Sequence, residues 1–221
     1  MFKSWFKKKD EAPKIQAPEV MGLRLGGAFE LDELKLRLIE PELIIEGAAS
    51  THIIQAVGAV QLDTDSTVLR FYTDDEGYLQ VLLSGGTDES HVADVKLWYF
   101  YEVQGVHSDA EWERVLKYEV SAPTAELEGH TFHRVWESTT QHSPPVAMTE
   151  NTYGQKGTSG DAEKPNRTDQ FAMLYEREVS PGVQEYLLKT AEEKIIDGRV
   201  DRCLVISTGF DVQPADIEIT G

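Results

Sequence analysis

The fold is decided by residues 51–83, which read Thr51-His-Ile-Ile-Gln-Ala-Val-Gly-Ala-Val-Gln61-Leu-Asp63-Thr-Asp-Ser66-Thr-Val-Leu-Arg-Phe-Tyr-Thr73-Asp-Asp-Glu-Gly77-Tyr-Leu-Gln-Val-Leu-Leu83. Three runs rich in β-branched and aromatic residues, at about 51–61, 67–73 and 78–83, are separated only by Asp63-Thr-Asp-Ser66 and Thr73-Asp-Asp-Glu-Gly77. Asp, Ser and Gly supply the bent conformations a tight turn needs. Links this short force antiparallel pairing, because a parallel crossover takes a dozen residues or more. The expected class is therefore mainly β, of the α+β kind, in antiparallel sheets.

The same reading extends in both directions. Val95-Lys-Leu-Trp-Tyr-Phe-Tyr-Glu-Val103 carries aromatic residues on both faces, as a central strand covered on two sides would. Residues 131–136, 170–178, 184–194 and 202–212 are further strands, with Ser180-Pro-Gly182 and Asp197-Gly198 as turns. Leu187, Leu188 and Ala191 also fit a helix, but hairpin-length connections favour a strand at 184–194. Leu34-Lys-Leu-Arg-Leu38 alternates like a strand with one wet face, and Pro41 breaks it before Leu43-Ile-Ile45.

One clear helix is expected near 108–117. Ser108 and Glu111 stand at capping-box spacing, and Trp112, Val115 and Leu116 form an apolar stripe suited to core packing. The polar stretch 139–169, with Pro144-Pro145 and Gly154-Gln-Lys-Gly-Thr-Ser-Gly160, reads as a mobile loop. Residues 21–221 then form a single β-rich domain, preceded by a tail and a Pro-containing linker over 1–20.

Charge divides the chain. It has 21 Lys and Arg against 39 Asp and Glu, a net charge of −18. Four of the lysines fall in the first nine residues, so the remainder carries 17 basic against 39 acidic residues, a balance of −22. An acidic body without a basic cluster argues against nucleic acid as partner. In a helical register Phe2, Trp5 and Phe6 share one face, with Lys3, Lys7, Lys8 and Lys9 around and after it. Aromatic residues at the headgroup boundary and about 1 kcal/mol per lysine near an anionic leaflet give weak, salt-sensitive contact with a membrane or a partner. No run approaches the roughly 20 apolar residues of a spanning helix, and the N-terminus lacks an apolar signal core. A cytoplasmic location follows, with a peripheral place at a membrane surface.

Chemical motifs are weak. A single cysteine, Cys203 in an apolar run, excludes an internal disulfide and reads as a buried thiol. Asp63-Thr-Asp65-Ser-Thr67 has the form of the phosphatase loop of haloacid-dehalogenase-type enzymes, with Asp63 as nucleophile and Asp65 as acid. That loop belongs at the end of a parallel strand, however, and here it joins antiparallel ones. Asp74-Asp-Glu-Gly77 is too compact for a calcium loop. His130 and His133, three apart on a strand, project to opposite faces and cannot share an ion. No catalytic, cofactor-binding or metal-binding residues are assigned.

Gly22-Leu-Arg-Leu-Gly-Gly-Ala-Phe-Glu-Leu-Asp32, Arg70-Phe-Tyr-Thr-Asp-Asp75, the Leu97–Tyr101 strand, Phe132-His-Arg-Val-Trp136 and Phe171-Ala-Met-Leu-Tyr-Glu-Arg177 together resemble the YjfK-like family of uncharacterised bacterial proteins. The resemblance covers residues 21–221 and carries no catalytic residues. It implies a bacterial, cytosolic protein encoded near membrane-stress proteins of the phage-shock kind. The expectation is a non-enzymatic accessory protein with an unidentified protein partner and a weak N-terminal membrane contact. The alternative is an enzyme or small-molecule-binding protein with a pocket beside the 139–169 loop.

Overall fold

Alternating side chains and tight turns build most of the chain into strands. A computed structural model describes residues 15–45, 47–155 and 162–220. The expected contact residues Phe2, Lys3, Trp5, Phe6, Lys7, Lys8 and Lys9 lie outside the described residues. In chain order the elements are β1 (Ala28–Leu31), α1 (Glu33–Ile39), β2 (Thr51–Gln61), β3 (Ser66–Thr73), β4 (Gly77–Ser84), β5 (Val92–Gly105) and α2 (Asp109–Arg114). They continue as β6 (Thr124–Leu127), β7 (His130–Arg134), β8 (Val146–Gly154), β9 (Asn166–Ser180), β10 (Val183–Ile196), β11 (Arg199–Asp211) and β12 (Ile217–Ile219).

Every pairing is antiparallel, and eight strands close on themselves. The hydrogen-bonded path runs β2–β3–β4–β5–β11–β10–β9–β8 and returns to β2. Register shifts at Ile54/Ala56, Leu82/Leu83 and Ile206/Ser207 place bulges that bend strands around the ring. The closed path removes the exposed edges an open sheet would have. β1 and β12 extend the sheet beside β2, and β6 and β7 extend it beside β9.

Three apolar clusters identify inside and outside. Val57, Leu69, Phe71, Leu79, Val81, Leu97 and Phe210 face outward and pack under Val20, Leu23, Phe29, Leu31, Leu36 and Ile45 of the N-terminal segment. On the other flank Met173, Tyr175, Leu187, Ala191, Leu204 and Ile206 are covered by Trp112, Val115, Val120 and Phe132. The third cluster, Tyr78, Trp98, Ala172, Tyr186 and Leu188, fills the lumen. Leu97 and Trp98 thus bury opposite faces of β5, as its two-sided aromatic pattern implies.

Three expectations need correction. Residues 34–38 are helical, not a strand: Asp32 accepts from the backbone N–H groups of Leu34 (3.0 Å) and Lys35 (3.1 Å), capping α1. Only Leu36 is buried there, while Leu34 and Leu38 are 68% and 69% exposed, so the alternating leucines carry no sheet face. The 139–169 stretch is not one loop, since β8 and the start of β9 lie within it and complete the barrel. The helix near 108–117 is shorter than expected. Ser108 caps it, accepting from Glu111 N at 3.2 Å, but after Arg114 it widens into a π-type turn over Val115–Glu119. The strand at 184–194 is present as β10.

Candidate functional site

An eight-stranded barrel has an interior that side chains just fill, or that holds one small ligand. Here the lumen is part filled. Its floor is a buried polar network built from residues of five strands. Arg70 of β3 donates from Nη1 to Glu150 of β8 (3.0 Å) and to Gln170 of β9 (2.9 Å), and from Nε to Gln80 of β4 (3.3 Å). Gln170 Nε2 donates to Glu150 (2.8 Å) and to Glu192 of β10 (2.9 Å). The Tyr72 hydroxyl donates to the other Glu150 oxygen at 2.8 Å. Arg70, Glu150 and Gln170 are respectively 5%, 2% and 2% exposed, so their charges and amides are answered by protein rather than by bulk water.

Gly58 of β2 makes this floor possible. A Cβ there would lie 1.7 Å from Glu150 Oε1, so only glycine leaves room for the carboxylate. The electrostatics follow from the packing. Burial alone would lower the Arg70 pKa, but Glu150, Tyr72 and Tyr78 outweigh it and hold the guanidinium charged above its ordinary value. Burial, then the nearby Glu150 charge, raises the Glu192 carboxyl. Burial also pushes the Tyr78 phenol up to about 12.

Above the floor the lumen opens into a cavity of about 770 Å³. Its walls are mostly apolar, with Trp98, Trp136, Met148, Leu174, Tyr186 and Leu188 among them. Gly209 lets the Trp98 indole lie against β11, since a Cβ there would meet ring atoms at 2.6 Å. The indole Nε1–H has no acceptor among the described residues although Trp98 is 1% exposed. Lys96 stands at one side of the mouth, donating to Asp94 and Asp211 at 2.7 Å each, with its ammonium 4.4 Å from the centre of the Tyr186 ring. Burial would lower the Lys96 pKa, but hydrogen bonds to Asp211 and Asp94 outweigh it and the group stays charged. Burial, then the hydrogen bond to Asp211, raises the Tyr186 phenol. At neutral pH the lysine is therefore charged and the phenol neutral.

Across the mouth runs the segment after β7. Val135 N donates to Leu174 O at 2.9 Å, Trp136 packs against both the lumen and the outer cluster, and Glu137 turns with φ 63°. A glutamate in the left-handed region is uncommon, and here it sends the chain over the opening. Arg134 anchors this segment, donating from Nη1 to Ser121 O at 2.9 Å and from Nη2 to Gln141 O.

The residues weighed from sequence lie elsewhere. Asp63 Oδ1 accepts from Asp65 N (2.7 Å) and Ser66 N (2.8 Å), shaping the β2–β3 hairpin turn. Asp74 accepts from Ile53 N (2.9 Å) and Asp75 from Ala49 N (3.1 Å), so the acidic turn ties down neighbouring backbone. Both histidines are on β7, where His130 lies opposite Leu127 and His133 opposite Thr124. Among the described residues no three His, Cys, Asp or Glu side chains group as metal ligands. Cys203 is half-buried rather than fully in the core, and burial pushes its thiol up to about 11. Sequence reasoning missed Arg70, Glu150, Gln170 and Glu192. A signal was available in Val68-Leu-Arg-Phe-Tyr72, where a lone cation inside an apolar strand requires a buried partner.

Among the described residues no helix is long and apolar enough to cross a membrane. No solved structure matches the chain at a significant level. The uncharacterized protein YjfK of Escherichia coli (strain K12) is 29% identical over 216 residues, covering 96% of this chain and 95% of that protein. The family described as "Protein of unknown function (DUF2491)" matches residues 1–218. The segment order that resembles YjfK-like proteins thus extends from end to end, and the chain belongs to the DUF2491 family.

Proposed function

We propose that this chain binds a small molecule in the mouth of its barrel, without transforming it. The observation that carries the reading is the cavity of about 770 Å³, apolar in its walls, with Arg70, Gln80 and Lys96 converging on it. Ligand sites typically have this size and this mixture of an apolar lining with a few placed polar groups. The cavity also borders Val146, Ala147 and Met148, within the 139–169 stretch. The test is a heat-denaturation screen of the full chain against a metabolite library, followed by titration of any hit. A saturable hit whose affinity falls in a Leu188→Trp variant, which blocks the cavity, supports the reading. Hits unaffected by that block would refute it.

A second reading concerns the surface. Beyond the barrel the ends of β5, β10 and β11 form a ribbon that exposes Val103, Ile195 and Val200 by 62%, 75% and 57%. A protein partner docking there and a weak contact of Phe2, Trp5, Phe6 and the neighbouring lysines with an anionic membrane would make an accessory protein of the ligand-binding body. Co-sedimentation with anionic vesicles at low salt, lost in a chain starting near Pro13, supports the membrane contact. Equal sedimentation of the two chains would sink it.

A further inference from the structure

We infer that the ligand of this cavity is an organic cation, an apolar body carrying a basic or quaternary nitrogen. The inference rests on the proposed binding role and adds the chemical class.

The two cations near the cavity are already neutralised by protein. Arg70 is paired with Glu150 at 3.0 Å, and Lys96 lies between Asp94 and Asp211 at 2.7 Å from each. Neither is free to receive a ligand carboxylate or phosphate. Acids remain in excess: Glu137 and Glu176 also line the cavity, and no hydrogen bond to either carboxylate occurs among the described residues. The lining itself holds Arg70 and Lys96 against Asp94, Glu137 and Glu176, and the pairing partners Glu150 and Asp211 stand just behind it. The whole chain reinforces this sign with a net charge of −18. An excess of negative charge around a low-dielectric cleft raises the local concentration of cations.

The aromatic walls favour the same class. Trp98, Trp136 and Tyr186 are part of the cavity lining, and aromatic rings bind cations through their negative faces, indole best. The Lys96 ammonium already sits 4.4 Å from the centre of the Tyr186 ring, so the indoles of Trp98 and Trp136 are the aromatic groups left for a ligand cation. Trp98 Nε1–H, without an acceptor among the described residues, suits an oxygen on the ligand body.

The test compares decyltrimethylammonium, decanol and decanoate, each below its aggregation concentration, by tryptophan fluorescence of the full chain. The cation is expected to bind saturably and about tenfold or more tighter than either other probe, as a desolvated cation–π contact implies. The Glu137→Gln/Glu176→Gln double variant alters only exposed or half-buried carboxylates and is expected to lose most of that preference. Equal or tighter binding of decanol or decanoate would overturn the cation class while leaving the binding cavity in place. Saturable binding by none of the three would overturn both. A preference that survives in the double variant would remove these carboxylates as its cause and overturn the electrostatic argument.

Discussion

Replacing Gly58 by alanine tests whether the barrel floor is as tightly specified as its geometry implies. The new Cβ would stand 1.7 Å from Glu150 Oε1, 2.8 Å from its Cδ and 3.1 Å from Tyr72 Cε2. Side-chain carbons do not approach an oxygen that closely, so the carboxylate must leave. Its departure breaks the bonds to Tyr72 (2.8 Å), Arg70 (3.0 Å) and Gln170 (2.8 Å) and leaves the guanidinium buried without its counter-charge. Breaking one side of a buried ion pair costs about 3–5 kcal/mol. Alanine restores about 0.4–1 kcal/mol by restricting the unfolded chain. The expected net loss is therefore about 2–4 kcal/mol, read from urea unfolding at constant m-value. In a Glu150→Ala background the obstruction is gone, and adding Gly58→Ala should then cost less than about 1 kcal/mol. Gly154→Ala, where no atom of the described residues lies within 4 Å of the new carbon, serves as the control and should be neutral or slightly stabilising. A loss below about 1 kcal/mol for Gly58→Ala alone, or the same loss in both backgrounds, would refute the argument.

Two further outcomes concern titration. Glu192 has its carboxyl pKa raised in the folded state by burial and by Glu150, so its stabilising share is complete below the unfolded value of about 4.3 and is lost as pH rises through the folded value. Glu192→Gln keeps an acceptor for Gln170 and should raise Tm at pH 8 while changing it little at pH 4; an equal shift at both would contradict the assignment. The Cys203 thiol, pushed up to about 11, should react slowly with a disulfide reagent at pH 8 and faster once the chain is unfolded in urea. Relative to a free thiol near 8.5 it holds on the order of a hundredfold less thiolate at that pH. Reaction at the free-thiol rate in the folded chain would show the site to be open.

The hairpins β2–β3–β4 and β9–β10–β11 were legible because Asp63–Ser66, Thr73–Gly77, Ser180–Gly182 and Asp197–Gly198 leave no room for anything but antiparallel return. What stayed hidden is the ring closure. β8 contributes Glu150 to the polar floor of the lumen, and by composition that buried position looks like a loop residue. Alternation rules assume an apolar interior, and a hydrogen-bonded one inverts them locally. α1 was misread for the opposite reason, since Leu34, Leu36 and Leu38 carry the period of a strand while the Asp32 cap sets the backbone. The cavity has no sequence signature, because its lining comes from β3, β4, β5, β8, β9 and β10 and from the segment after β7.

The barrel is sealed by β8, which pairs Glu150–Gly154 with Ala56–Val60 across some ninety residues of chain and Val146–Thr152 with β9. Until that stave is seated the path β2–β3–β4–β5–β11–β10–β9 is an open seven-stranded sheet that encloses no volume. Loop-closure entropy makes such distant pairings form late. The binding space is then a property of the completed ring alone, absent from every partly unfolded form that lacks β8. Any occupant must therefore stabilise the whole fold by mass action, about 2.7 kcal/mol at a hundredfold excess over Kd. On the proposed binding role, the melting temperature of this protein is a readout for its ligand, and a fraction of cell extract that raises it is where the search for that molecule begins.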